Sequence, residues 1–481
     1  MKRFLLLFLA LSISFCAIAC NRNMQKSDPD RSSIKSETTT EPKDPVTPTN
    51  DVPFYAGYAR ADISPSFSVP LGDSMSKGVA DKIYITVIAI SDGENNALLI
   101  TGDFKYSDGA VLARTRISAE KHGVPKENVI LCATHDHSSI DYLGESYPVL
   151  KWKNMYYKVI DQAIEEALAD LKPATAEIGE AKTTNFAFVR RYYMEDGSFK
   201  SIHHANPSND YKEHESEADD QMQVIRFVRD GAKDIVVVNW QAHVAHAIGE
   251  LGNYISADLV GIFRMTLERD PEILSAMFIG ASGNINLSSY VDGKQIYKGY
   301  MSVGIALAQL TKTVLEDMKP VELGKIQTEE TTYTATVDHS RDYLYDKASQ
   351  VNNFIGTSAE KNEFARSLGF HSFYEPSYLA IKKNLGQTSE IHISVLSFGD
   401  IVFVAVPYEM FDTNAMAIKA SSDFKSTFIC ASTNGRFGYI PSELGFSNGG
   451  YEVYTCRFVR GTGEELEAEY IKLLQMLADK K

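Results

Sequence analysis

Val129-Ile130-Leu131-Cys132-Ala133-Thr134-His135-Asp136-His137-Ser138-Ser139 is an apolar run of strand character that empties into a polar loop with two histidines one residue apart. On a strand, that spacing points both imidazoles to one side; a tight loop could also converge them. His-x-His is a weak signal by itself, because neighbouring surface histidines are commonplace. Its position adds weight. The pair stands at the exit of a buried strand, where ligand and catalytic groups collect in open α/β sheets.

Working outward, two further strand exits carry similar residue types. Ile235–Trp240 is a continuous apolar run of the kind buried on both faces, and it leads into Gln241-Ala242-His243-Val244-Ala245-His246. Ile401–Val406 leads into Pro407-Tyr408-Glu409. Histidine, histidine and glutamate at three strand ends make a reasonable zinc-binding set. Each alone is ambiguous, since a strand-end Glu is ordinarily just solvated.

Periodicity predicts strands over 58–63, 83–91, 97–102, 128–133, 235–240, 391–398, 401–406 and 428–431. It predicts helices over 109–122, 149–171, 257–267, 295–318, 411–420 and 464–478. The segment 341–383 reads as helical and irregular, a cap or insertion. No internal repeat is present. The alternation predicts an α/β fold, a single large domain around a mixed β-sheet with helices packed on it.

Composition bounds the function. The chain has 481 residues and a formal charge of −15, which argues against a nucleic-acid partner because phosphate binding needs a basic face. The 25 Tyr and 24 Phe suit a carbohydrate or lipid binder and equally a well-packed sheet protein. Lys2 and Arg3 precede an apolar run to Ala19 that is short for a membrane span, and Ala17-Ile18-Ala19-Cys20 then gives way to polar residues. Residues 1–19 thus resemble a bacterial lipoprotein signal with Cys20 as the lipidated first mature residue; the alternative is an ordinary secretory signal cut after Ala19. Residues 20–52, rich in Ser, Thr, Pro and charge, read as a disordered tether, and the folded domain as 53–481. The expected location is the bacterial cell envelope, anchored to a membrane through Cys20. Cys430 and Cys456 flank a hairpin-like region and could pair in that compartment, or stay as buried thiols.

Five stretches, in order, resemble the catalytic domain of the neutral, non-lysosomal ceramidase family. They are Gly57-Tyr58-Ala59-Arg60-Ala61-Asp62-Ile63-Ser64-Pro65; Ala133-Thr134-His135-Asp136-His137-Ser138; Asn239-Trp240 to His243 with Ile255-Ser256-Ala257-Asp258; Val406-Pro407-Tyr408-Glu409; and Gly438-Tyr439-Ile440-Pro441 through Tyr451-Glu452. The resemblance implies a Zn2+ ion on His135, His243, Glu409 and Tyr439. His246 competes with His243. It further implies that His137, Arg190 and Tyr451 contact the substrate or the developing oxyanion, with Arg191 competing for the role of Arg190. The reaction implied is hydrolysis of an N-acyl amide bond, as in ceramide, by a zinc-activated water; the partner is a small-molecule or lipid-like substrate.

Two departures bear on substrate. In Gly280-Ala281-Ser282-Gly283-Asn284-Ile285-Asn286-Leu287, Gly280 occupies the position expected for the family's serine, with Ser282 out of register. The immunoglobulin-like domain that often follows the catalytic domain is not expected after 464–478. Other readings are a zinc hydrolase of glycans or peptides, and a non-catalytic lipid- or glycan-binding lipoprotein. An amidohydrolase barrel also opens on His-x-His, but on its first strand, whereas several strands precede this pair. His203, His204 and His214 read as a mobile surface loop and not as ligands; Asp103, at a strand end, could support a ligand but is more simply a structural residue.

Overall fold

Eight strands of the computed structural model line up edge to edge as Ile273–Ile279, Asp234–Trp240, Gln221–Arg229, Lys172–Lys182, Tyr55–Asp62, Tyr84–Ser91, Asn96–Gly102 and Val129–Ala133, with Lys319–Val321 also paired to Lys172–Lys182. The structure describes residues 53–481 apart from 73, 202–210, 288–289, 292–293 and 296, so the signal, Cys20, the tether, His203 and His204 lie outside the described residues. Pro48–Lys481 clusters as one compact unit. Val129–Ala133 runs parallel to Asn96–Gly102 and Asp234–Trp240 parallel to Ile273–Ile279, while the other pairings are antiparallel. The sheet is therefore mixed, as expected. A second mixed sheet has the order Ile326–Thr336, Thr388–Phe398, Ile401–Ala405, Ser426–Cys430, the last pair parallel.

The strand Asp234–Trp240 shows why its sequence lacks alternation. Ile235 and Val237 pack between the two sheets with Leu396, Phe403 and Phe428. Val236, Val238 and Trp240 pack outward with Leu259, Phe263, Val303 and Leu307 of the helices Asp258–Leu267 and Gly299–Leu315. With both faces covered, every position from Ile235 to Trp240 is apolar except Asn239, whose Nδ2 donates to Phe278 O (3.0 Å) and Ile429 O (2.9 Å). Trp152, Tyr156 and Ile160 of Tyr147–Ala169 cover another part of the same sheet. Ile418 of Asp412–Ala420 and Leu466, Tyr470 and Leu473 of Thr462–Ala478 cover the outer face of the smaller one. The layers are helix, sheet, sheet, helix. Gly57 sits where a Cβ would collide with the main-chain carbonyl of Ala167, so the strand and the end of the long helix approach more closely than any side chain allows.

The large sheet curls until its edges meet. Thr101 Oγ1 donates to Met277 O (2.8 Å). The chain after Ser426–Cys430 bridges the two edges, as Ala133 N donates to Ser432 O (3.1 Å) and Ala431 N to Ile279 O (2.9 Å). The exits of Val129–Ala133, Asp234–Trp240 and Ile401–Ala405 thereby come together. Several elements depart from expectation. The strands Lys172–Lys182, Gln221–Arg229, Ile273–Ile279 and Ile326–Thr336 are additional; Lys172–Lys182 and Ile326–Thr336 have polar, half-exposed faces that blur the alternation. The helix expected from 295 begins at Gly299. The insertion is three short helices, Tyr345–Asn352, Ser358–Ser367 and Glu375–Asn384, around a core of their own. Cys430 and Cys456 are free, as is Cys132: the Cys430 thiol is buried between the sheets and Cys456 lies in the outer core of the smaller sheet.

Candidate functional site

The strand before the histidine pair stops at Ala133, and His135 takes a left-handed conformation (φ 57°). A non-glycine residue holds that conformation only where its surroundings enforce it. Here Thr134 N donates to Gly102 O (2.9 Å), and His137 N donates to Val244 O (2.9 Å), tying the first histidine loop to the second. Asp136 Oδ1 accepts Ser138 N (2.7 Å) and closes the turn. Convergence of the imidazoles thus comes from the loop and not from strand spacing. The Glu409-Met410 and Tyr439-Ile440 pairs form a short parallel bridge, which sets Glu409 beside Tyr439. Gly283 allows the loop after Ile273–Ile279 to close on it: a Cβ there would lie 2.6 Å from Glu409 O.

The side chains meet at one point. His135 Nε2 and His243 Nε2 each lie 3.3 Å from Glu409 Oε2. His243 Nε2 is 3.1 Å from Tyr439 OH, and His137 Nε2 is 3.4 Å from His135 Nε2. The outer nitrogens are held by main-chain carbonyls, His135 Nδ1 by Lys105 O (3.0 Å) and His243 Nδ1 by Ser282 O (2.6 Å). A carbonyl only accepts, so each Nδ1 carries the proton and a neutral ring turns a lone pair inward at Nε2. Burial, then the Arg190 charge, lowers His243 to about 4, so that ring is neutral near pH 7. Burial and the Lys105 charge likewise hold His137 well below the ordinary histidine range.

Acceptors therefore face acceptors with no proton between them, and Glu409 Oε2 is buried without a hydrogen-bond partner. That arrangement calls for a cation. Ligand bonds of about 2.0–2.1 Å in a tetrahedron leave neighbouring donor atoms about 3.3 Å apart, which the His–Glu separations match. The donor atoms of His135, His137 and His243 all lie within 4.8 Å of one another and could hold a metal ion. His246 is not in this group; it stands before the short helix Ala247–Leu251.

Behind Tyr439 lies a buried ionic network. Arg190 Nη2 donates to Tyr439 OH (3.3 Å) and Gly283 O (2.8 Å), Nη1 to Asn286 Oδ1 (3.3 Å), and Nε to Glu452 Oε1 (2.7 Å). Four of its five N–H groups are thus committed to the protein. Arg191 turns away from the centre, to Glu215 (2.6 Å) and Glu452 Oε2 (2.7 Å). The Tyr451 ring packs edge-on to that of Tyr439 at 5.6 Å, and Tyr374 of the inserted helical segment packs against Tyr451 at 6.5 Å. Burial, aided by Glu409, raises the Tyr439 phenol, and burial raises that of Tyr451.

The family model for neutral/alkaline non-lysosomal ceramidase, N-terminal, matches residues 72–338, more than half of the chain. The chain belongs to the neutral/alkaline non-lysosomal ceramidase family. Membership implies a hydrolase acting on amide bonds. The fold agrees. Neutral ceramidase from Pseudomonas aeruginosa superposes with a TM-score of 0.68 at 16% identity, over 90% of this chain and 75% of that one. A ceramidase complexed with C2 superposes with a TM-score of 0.66 at 15% identity, over 89% and 76%. Glu409, Tyr439 and Tyr451 lie beyond the residues that the ceramidase family model matches, and the tertiary structure is what brings them to His135, His137, Arg190 and His243.

Other expectations resolve differently. A Cβ at Gly280 would lie 2.9 Å from Gln241 Oε1 and 3.1 Å from Gln241 Cβ, so a serine there presses on a side chain already bonded to Asp219 O and Gln221 O. Ser282 contributes its carbonyl, to His243. Asp103 pairs with Arg264 (2.7 Å) and Tyr84 N (2.9 Å), a structural role. His214 is half-buried beside Tyr192 and bonded to Val189 O (2.6 Å), not part of a mobile surface loop. Glu452, Glu215 and Asn286 escaped sequence reasoning. A Glu next to Tyr451 was the only trace of the network, and nothing local distinguishes it from a solvated residue. Among the described residues, no helix is long and apolar enough to cross a membrane.

The neutral state of His243 has a consequence for stability. Free in an unfolded chain, the ring titrates near 6.5; folded and metal-free, it titrates near 4. The unfolded chain takes up the proton first. This contribution is full above pH 6.5 and is lost as the pH falls through about 4, amounting to about 3 kcal/mol. Denaturation of metal-free protein between pH 7 and 4 is expected to show that extra loss relative to His243→Gln; parallel curves for the two proteins would count against it.

Proposed function

We propose that the chain is a zinc-dependent hydrolase of N-acyl amide bonds, with the metal held by His135, His243, Glu409 and Tyr439. The observation that carries this reading is the buried Glu409 Oε2, faced by two imidazole lone pairs and no proton. The three-histidine grouping is a subset of the possibilities at the same point; the buried carboxylate favours Glu409 over His137 as a ligand, because it leaves no orphaned charge.

The chemistry that zinc supplies is Lewis acidity, which polarises the amide carbonyl and makes hydroxide accessible near neutral pH. The protein's own residues do the rest. His137 is half-buried and neutral, suited to take a proton from the attacking water and return it to the departing nitrogen. Tyr451, its phenol kept protonated by burial, suits donation to the developing oxyanion. Arg190 bears on the reaction through Tyr439 OH, whose orientation and charge it steadies.

The test is release of fatty acid from a panel of N-acyl amides that includes ceramide, by zinc-loaded protein and by His135→Ala. Turnover that vanishes in the variant, together with its zinc, is expected. No turnover of any acyl amide with zinc bound would sink the amidase reading, and release that persists in the variant would sink the metal assignment. We further propose that the enzyme is anchored at the bacterial cell envelope through Cys20. Cys20→Ser is then expected to move it from the membrane fraction to the soluble fraction, and an unchanged distribution would contradict the anchor.

A further inference from the structure

In a chain of formal charge −15, cations gather beside the candidate centre without carboxylate partners. Among the described residues, Lys105, Arg436 and Arg457 form no ion pair, although most other buried or half-buried arginines do, such as Arg60, Arg190, Arg191 and Arg264. Tyr106 is the common surface. Its ring centroid is 6.0 Å from that of His135. Arg436 Cζ stacks 4.0 Å over it, and Lys105 Nζ lies 5.2 Å from it. Arg457 lies close to the residue that precedes Tyr439. A Cβ on Gly438, the residue before Tyr439, would lie 3.8 Å from Arg457 Nε and 3.5 Å from the Tyr378 ring.

Arg457 is only 9% exposed, and its Nε has no hydrogen-bond partner. Burial, with the Arg436 charge acting in the same direction, lowers its basicity. The nearby acids make their close contacts elsewhere, and Asp108 acts on Arg436 only by its charge, without an ion-pair contact. Glu409 faces the imidazoles, Asp108 accepts from Tyr142 OH (3.3 Å), and Asp338 pairs with Lys382 (3.6 Å). Like charges crowded in a desolvated place, one with an unused donor, raise the free energy of the empty site. An anion arriving there lowers it, and guanidinium groups are suited to oxyanions of sulfur, phosphorus and carbon.

We infer that the amide substrate carries an anionic group close to the scissile bond, received by Lys105, Arg436 and Arg457 beside the Tyr106 ring. This rests on the amide-hydrolase reading above and narrows its substrate to N-acyl amines bearing a sulfonate, phosphate or carboxylate. A neutral ceramide lacks that group and leaves the cations unpaired.

Two probes of equal chain length isolate the charge: N-lauroyltaurine, with a sulfonate, and N-lauroylethanolamine, with a hydroxyl. For the zinc-loaded full chain, kcat/KM is expected to favour the sulfonate by about tenfold or more. Arg436→Gln and, separately, Lys105→Gln are expected to bring that ratio towards one. Equal or better turnover of the neutral amide by the unsubstituted protein overturns the inference, as does a ratio that both substitutions leave unchanged. If neither amide is cleaved, the hydrolase reading fails on its own, and calorimetric binding decides the anion site. N-lauroyltaurine binding that weakens about tenfold in Arg436→Gln or Lys105→Gln then supports it; absent binding, or binding indifferent to both changes, overturns it.

Discussion

Glu409→Gln is expected to abolish measurable zinc binding and lower amide hydrolysis by well over about 100-fold, since partners outside the ligand set alone typically account for 10–100-fold. The informative part is stability. In the metal-free protein, the Glu409 carboxylate is buried with Oε2 unbonded, facing the Nε2 atoms of His135 and His243. Glutamine has the same shape, carries no charge, and offers N–H groups to those lone pairs. The metal-free variant should therefore be as stable as the unsubstituted protein, or more stable by about 1–3 kcal/mol, the usual desolvation cost of an unsatisfied buried group. Denaturant melts with and without zinc check this. Zinc should stabilise the unsubstituted protein and not the variant. A metal-free variant that is several kcal/mol less stable would mean that Glu409 is a structural group and would remove the main support for the metal centre.

Glu452→Gln should give the largest loss of stability of any conservative substitution near the site. The Glu452 carboxylate is fully buried and bridges Arg190 Nε and Arg191 Nη1, both at 2.7 Å, while accepting from Ser201 Oγ. Removing its charge leaves the buried Arg190 without its carboxylate and Arg191 with Glu215 alone. Breaking a buried pair in this way typically costs about 3–5 kcal/mol. Arg190 also loses the contact that aims it at Tyr439, so kcat should fall by about 10–100-fold. Glu215→Gln separates the two effects. Glu215 holds Arg191 alone among the arginines, with 2.6 and 2.9 Å contacts. Its loss should cost stability comparably while leaving kcat much less affected. Equal effects of the two variants on kcat would mean that Arg190 has no special hold on the centre.

These expectations show what kind of residue was readable in advance. The centre's histidines and glutamate announced themselves because each follows a continuous apolar run, and such runs have one physical reading in this fold. A strand covered on both faces must be nearly all apolar, as Ile235–Trp240 is apart from the internally bonded Asn239, and the first polar residues after it mark the sheet's rim. The polar strands Lys172–Lys182 and Ile326–Thr336 gave no such signal, because their half-exposed faces accept threonine and glutamate. The ionic network and the unpaired cations were silent for a related reason. Glu452, Arg436 and Arg457 look like surface residues in a local window, and only neighbours from other segments, such as Arg190 for Glu452 and Tyr106 for Arg436, cover them.

The amino-acid sequence by itself determined the α/β class with a mixed sheet, the strand exits and the residue types that gather there, since burial dictates local composition; the second sheet was not legible in it. The tertiary structure alone decided how they are used. Curling of the large sheet brings its two edges together through the chain that follows Ser426–Cys430. The left-handed turn at His135 aims that imidazole inward. Main-chain carbonyls choose which nitrogen of each ring faces Glu409. Each of these depends on contacts between separate segments, 30 and 39 residues apart for the two ring nitrogens and far more across the sheet edges, and no local pattern of residues encodes them.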